Sequence, residues 1–527
     1  MTEIQSKSQK WDCVIIGGGH NGLTAAAYLA KAGKSVLVVE SRGTIGGAAV
    51  TETFHPGFRN SLASYTVSLL NPQIIQDLDL YAHGLRIVQR PFSNFMPLPD
   101  DRYLSTGSDL AATQAAFRRF SEKDAARLPD YYNWLASAAD VLKQQLLRTP
   151  PNMGGGLRDW WRSGALIHSL RGVPQAAQHA IFDMFTRSAR DILDGWFENE
   201  HIKALFGFDA VVGNYAAPDE AGSGYVLLHH VFGEVDGVQG AWGHAIGGMG
   251  AISNAIASCA AQHGAHIRCD TRVTRVMTRD NVAYGIETAD GEHIHARCVA
   301  SNTTPKHLLL DLVAENDLPA ETRERVAQTR YGSGTFRMNV ALDCLPRFTA
   351  LPEAGPHLSS GIIIAPTLDY MSQAYFDARR EGVSREPIVE MLIPSTLDDS
   401  LAPPGKHVAS LFCQHVSPDT DPAQRDDIAR RMIATVDRYA PGFEESVLGY
   451  VALTPADLES KLGLTGGDIF HGALSLNQLF SARPMLGMAD YRTPIKGLYL
   501  CGSGAHPGGG VSGIPGHNAA REMLRDL

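Results

Sequence analysis

Apolar residues first crowd together at WDCVII, residues 11–16, a run too short for a helix and closed by glycines, which predicts a buried strand. Leu23, Ala26, Ala27, Leu29 and Ala30 then recur at helical spacing, and SVLVVE repeats the strand pattern. A βαβ unit therefore opens the chain. From Asp109 to about Leu147 the pattern is helical, with Phe117, Phe120, Leu128, Tyr132, Leu135 and Leu142 set among charged residues. Pro150, Pro151 and glycines 154–156 break it, and a second helical stretch runs from about Pro174 to Ala210.

A glycine-rich segment from Gly237 to Gly250 leads into a further helix ending near Gly264, and residues 265–301 alternate as strands with a hairpin turn at Asp290-Gly291. Residues 331–415 carry β-rich runs separated by polar loops, Asp426 to Tyr439 reads as an amphipathic helix, and the chain ends in a short strand, a glycine-rich turn and a helix. The expected fold class is α/β: a Rossmann-type nucleotide-binding domain with an interleaved α+β domain. The boundaries that follow are 11–90, 225–305 and 475–527 for the first domain, discontinuous in sequence, and 91–224 with 306–474 for the second.

A length of 527 residues leaves room for two joined domains and a large buried pocket. With 46 Lys and Arg against 56 Asp and Glu, the net charge of -10 has the wrong sign for binding a phosphate backbone, so no nucleic acid is expected as a partner. The seven cysteines contain no CxxC pair, which excludes a local redox dithiol and suits a reducing compartment. The opening stretch MTEIQSKSQK has no apolar signal core, and no segment offers eighteen clean apolar residues. A cytoplasmic location is expected, compatible with a peripheral, amphipathic membrane contact.

The chemistry starts at Gly17-Gly18-Gly19-His20-Asn21-Gly22, a GxGxxG placed between strand and helix. Gly17 permits the tight turn, Gly19 lets backbone approach a pyrophosphate, and Gly22 lets helix and strand pack closely. The phosphates would sit at the helix N-terminus, with His20 and Asn21 in the first turn. Glu40, at the end of the next strand, is placed to accept hydrogen bonds from a ribose, and its charge argues against a 2′-phosphate. Ser41, Arg42, Gly46 and Gly47 follow; the paired glycines allow close approach to a pyrophosphate and the Arg can complement its charge. The C-terminal GSGAHPGGG contributes Gly502, Ser503, His506 and Gly510, and Gly513 lies three residues beyond it.

These three elements, with GSGYVLLHHVFGEVDGVQGAWGHAIGGMGA and FHGALSLNQLFSARP, resemble phytoene-desaturase-like flavoproteins within the large FAD-dependent family that includes amine oxidases. The similarity runs from about residue 11 to the end. It implies a p-hydroxybenzoate-hydroxylase-like two-domain fold holding FAD without a covalent link. Gly17, Gly19 and Gly22 would hold the pyrophosphate, Glu40 the ribose, and Arg42, Gly46 and Gly47 the phosphate and flavin side. Val273 would meet the adenine through its backbone, while Gly502 and residues 510–513 would close on the flavin. His244 and Pro515 depart from the family pattern.

A flavin performs the redox step itself, so no protein acid or base is obligatory. His506, in the flavin-closing turn, is the candidate catalytic group because its ordinary pKa lies near neutrality. His229, His230 and His244 are candidates for facing a substrate. The adjacent pair points to different faces and has no third ligand at useful spacing, so no metal site is expected. The expected activity is an FAD-dependent oxidoreductase of dehydrogenase or desaturase type, passing hydride between flavin N5 and a carbon of a small, largely apolar substrate. An FAD-dependent isomerase, an amine oxidase and a non-catalytic flavin-stabilised interaction protein are the alternatives. No second GxGxxG follows a strand, which argues against a dedicated NADPH domain.

Overall fold

The computed structural model describes residues 10–527 apart from 108 and 236; residues 1–9, most of the polar opening stretch, lie outside the described residues. Strand β1 (Trp11–Ile16), helix α1 (His20–Lys31) and strand β2 (Val36–Val39) form the expected βαβ unit. β1 and β2 lie at the centre of a seven-stranded sheet, with His266–Arg268 beside β2 and His293–Ser301 beside β1, all parallel. Leu498–Leu500, from the far end of the chain, adds a parallel strand against His293–Ser301. The antiparallel meander of Val273–Arg279, Val282–Thr288 and His293–Ser301 turns at Asp290-Gly291, where Gly291 has φ +84°. β1 and β2 are buried almost throughout because α1 and the helices Gly250–Gln262 and Ile514–Asp526 cover the parallel part, which explains their unbroken apolar runs.

A second seven-stranded sheet runs in the order Val447–Leu453, Phe336–Leu342, His407–Val416, Val383–Leu392, Gly361–Ile364, Asn94–Pro97, Tyr103–Thr106. Its neighbours are antiparallel except Gly361–Ile364 with Asn94–Pro97.

The helical region differs from the pattern in its breaks. The stretch after Asp109 is two helices, Leu110–Arg118 and Glu122–Leu146, because the Ser121 side chain caps a new start by accepting from the Asp124 amide. Pro129 sits inside the second helix without ending it. The stretch 174–210 is three helices, restarted by Ser188 and Asn199 caps.

The helix Leu157–Leu170 lies between the two helical stretches that the pattern predicts, and its orientation says why the pattern did not delimit it. Its inward face is ionic: Arg162 donates to Glu522 at 2.7 Å and Asp159 at 3.2 Å, and lies 3.5 Å from Asp490. Its outward face carries Leu157, Trp160 and Trp161, which keep 82, 75 and 81 % of their surface exposed. The apolar stripe faces away from the core, the reverse of ordinary helix amphipathicity.

Candidate functional site

The loop from β1 to α1 fixes the site. Gly17 takes φ +96°, and a Cβ on Gly22 would lie 2.3 Å from the Gly17 carbonyl oxygen, so a side chain there would separate helix from turn. The N-cap, Gly19, has no side-chain acceptor, which leaves the first amides of α1 directed at the cleft with the positive end of the helix dipole. The second motif docks on the first through its backbone: the Gly46 amide donates to the Gly18 carbonyl at 2.9 Å, and a Gly47 Cβ would lie 3.2 Å from the Gly19 Cα.

A cleft of about 690 Å³ runs along these turns. Of the residues expected to touch a cofactor, Gly17, Gly19, His20, Glu40, Ser41, Arg42, Gly47, Val273 and Ser503 line it. Glu40 is oriented by the amides of Gly18 at 2.8 Å and Arg42 at 2.9 Å, one to each carboxylate oxygen, and further lone pairs on those oxygens remain for a diol. Arg42 pairs with Glu52 through one guanidinium nitrogen while the other terminal nitrogen is buried without a partner.

The remaining expected residues stand behind this lining. Asn21 bolts α1 to the C-terminal turn, donating to the Ser503 hydroxyl at 2.9 Å. Gly22 and Gly46 shape the two turns. A Cβ on Gly502 would meet the Asn302 carbonyl at 2.7 Å, and Gly513 takes φ +74° as N-cap of the last helix. Gly510, at φ +114°, lines a second, smaller cavity of about 110 Å³.

That second cavity shares His20, Ala48, His471 and Ser503 with the cleft, so the two meet at one corner. The corner is rich in buried polar atoms that no protein group satisfies: both ring nitrogens of His20, Nδ1 of His471 and the side-chain oxygen of Asn21. Unpaired buried polar groups are costly, and together they fit a large polar group seated in the cleft. Burial lowers the pKa of His20 to about 4 and, with His20 and Arg483 adding to it, that of His471 to about 3, so both rings are neutral near pH 7.

Arg483, itself fully buried, holds the corner closed. Its guanidinium donates to the carbonyls of Ser503 at 2.8 Å, Phe470 at 2.6 Å, Gln478 at 3.2 Å and Gly472 at 3.3 Å.

His506 is turned elsewhere. Its Nε2 faces the Gln145 carbonyl at 3.2 Å, its ring lies edge-on to Phe480, and it lines neither the cleft nor the smaller cavity. The structure does not bring His506, the candidate catalytic group, to either space: it ties the C-terminal turn to the end of the helix Glu122–Leu146. His244 shares a 3.1 Å hydrogen bond with Asp398 and likewise lines neither space. Of the adjacent pair, His230 lines the smaller cavity, and among the described residues no group of three metal-ligating side chains occurs.

Sequence reasoning missed Asn302, Lys306, His307, His471 and residues 459–465 of the cleft lining. Asn302 could have been sought at the end of the strand His293–Ser301; the others carry no local signal.

The model of the flavin-containing amine oxidoreductases matches residues 22–524. The chain belongs to this family. Pyridine nucleotide-disulfide oxidoreductase domain-containing protein 2 of Rattus norvegicus is 41 % identical over 551 residues, covering 98 % of this chain and 94 % of the rat protein. The lycopene-forming phytoene desaturase of Pantoea ananas is 24 % identical, covering 97 % of this chain and 99 % of its own. Putrescine oxidase bound to putrescine shares the fold at a TM-score of 0.62 and 15 % identity, covering 98 % of this chain and 99 % of its own. The protein is an FAD-dependent oxidoreductase, and its seven cysteines are free.

Proposed function

We propose that this oxidoreductase acts as a dehydrogenase or oxidase on a small, largely apolar substrate seated in the 110 Å³ cavity. The carrying observation is the shared corner of His20, Ala48, His471 and Ser503, which bounds both that cavity and the nucleotide cleft. Bound FAD would supply the redox chemistry, as the acceptor of the substrate's hydride. The chain's own part is to hold the cofactor by α1, Glu40 and the Gly47 turn, to keep His20 and His471 neutral beside it, and to present an apolar wall of Leu69, Val212, Ile469 and Phe470.

Two measurements test the reading. Mass spectrometry of ligand extracted from the purified yellow protein should find an apolar small molecule; a strongly charged metabolite would count against it. Stopped-flow mixing with NADPH should leave the flavin absorbance intact on the time scale of turnover, and rapid bleaching would overturn the picture.

A lipid surface is the occupant we assign to the exposed face of Leu157–Leu170, because Trp160 and Trp161 lie among solvent-facing apolar side chains with Arg158 and Arg171 on the same helix and its cap. Trp160→Ser together with Trp161→Ser should abolish sedimentation with vesicles of phosphatidylglycerol and phosphatidylcholine; unchanged sedimentation would refute the assignment.

A further inference from the structure

Beyond the corner of His20, His471 and Ser503 that it shares with the cleft, the smaller cavity is lined by three polar residues whose hydrogen-bonding character is definite. Tyr65 lines it and donates its hydroxyl proton to Glu390, so the phenol oxygen keeps only acceptor capacity for any further partner. His230 lines it as well, with Nδ1 held 2.9 Å from the Val226 carbonyl. A carbonyl only accepts, so the ring proton sits on Nδ1 and Nε2 is the acceptor. Burial lowers the His230 pKa to about 4, which keeps this tautomer neutral near pH 7. The third group is Ser68, a residue of the same lining, 5 % exposed, whose hydroxyl has no partner among the described residues. The wall thus presents two acceptors and one hydroxyl able to donate.

The charge behind this wall has a sign. The Arg337 guanidinium lies 4.6 Å over the Tyr65 ring, donating to the Leu411 carbonyl at 2.6 Å and the Ser410 hydroxyl at 2.8 Å. Arg90 donates to Thr66, also in the lining, and stacks 5.9 Å over Trp242 of the same cavity. Glu390 is the carboxylate that answers both. Asp209, beyond it, is pushed up to about 8 by burial and by Glu390, and is therefore mostly protonated near pH 7. Two cations against one anion leave a positive field at this polar lining, which repels an ammonium group and leaves a neutral hydroxyl undisturbed.

We infer that the cavity takes a neutral alcohol, its hydroxyl donating to Tyr65 or His230 and accepting from Ser68, its apolar body against Leu69, Val212 and Phe470, and that it discriminates against amines. A hydrocarbon would leave the three polar groups unsatisfied, and a protonated amine would meet both the positive field and a surplus of protons over acceptors. Tyr65, Ser68 and His230 are thereby specificity-determining residues. The inference rests on the reading of this cavity as the substrate side of the flavin.

Benzyl alcohol, benzylamine and toluene, alike in size and differing at the polar end, are the probes. Each is titrated at neutral pH into the FAD-loaded full-length protein, with the flavin absorbance band and calorimetry as parallel readouts. Benzyl alcohol should perturb the flavin band with an affinity at least about tenfold above either analogue, the order expected for one satisfied hydrogen bond. Tyr65→Phe and His230→Leu should each shrink that preference to within about threefold, while His230→Gln, which keeps an acceptor, should retain part of it. Should a variant lose FAD, Ser68→Ala, which removes a single atom, carries the same comparison. A spectral response without alcohol preference, or a preference that survives all the variants, refutes the inference alone. Binding seen by calorimetry with no change in the flavin band refutes instead the placement of the cavity beside the flavin, and no response to benzyl alcohol in either readout overturns both.

Discussion

Glu40 illustrates what one side chain contributes to holding the cofactor. Its two oxygens already accept from the Gly18 and Arg42 amides, so the carboxylate is oriented before any ligand arrives. Replacing it with Gln removes the charge and turns one acceptor into a donor facing those amides. Glu40→Gln should therefore weaken FAD binding by about 1.5–3 kcal/mol, roughly ten- to a hundredfold, measured by the recovery of flavin fluorescence on dilution. Asp398 shows the residue scale in stability. Burial would raise its pKa, but hydrogen bonds from His244, Ser400 and the Gly247 amide outweigh this and hold it well below the usual carboxylate range. A depressed folded-state pKa contributes stability that is present above the unfolded value, about 3.9, and is lost as pH falls through the folded one. Asp398→Asn should lower the melting temperature near pH 7, with a gap from the wild type that narrows steadily below about pH 4.

At the scale of elements, legibility followed locality. The β1-turn-α1 unit was readable because strand, glycines and helix are consecutive, and the contact that Gly22 avoids, with the Gly17 carbonyl, lies within the motif, whereas the neighbour of Gly17 and Gly19 is the distant Asn302. His471 and residues 459–465 were not readable, because they reach the cleft from a distant part of the chain. The helix Leu157–Leu170 escaped for a different reason: sequence patterns assume that apolar faces turn inward, and this one turns outward over an ionic seam. The orientation of His506 was not legible either, because a place in the C-terminal glycine-rich turn does not fix which way a ring points. Arg483 hydrogen-bonds the loop 470–478 to that turn, alongside the packing of Phe470 and Leu474 against Gly509 and Gly508. Arg483→Met keeps the apolar stem and strips the donors from five carbonyls, so it should destabilise the protein by about 3 kcal/mol or more in urea unfolding and release bound FAD in parallel. Full retention of both would show that the loop is held by its apolar packing instead.

For the whole molecule, the two sheets and the helical block leave a polar cleft and an apolar cavity that share one corner, where His20 and His471 have ring nitrogens without protein partners. A ligand in either space borders the other. Filling the cleft would thus bear on four residues that also wall the smaller chamber. Two sites that build part of each other's boundary are thermodynamically linked, and such linkage is reciprocal: whatever factor the first ligand adds to the affinity of the second, the second returns to the first. Benzyl alcohol should accordingly slow the dissociation of FAD, by the same factor by which FAD tightens benzyl alcohol if association rates are unaffected, and the FAD-free protein should hold the alcohol poorly. Read this way, the cofactor is a structural member of the chamber as well as its reagent, and a cell short of flavin would lose substrate recognition along with turnover.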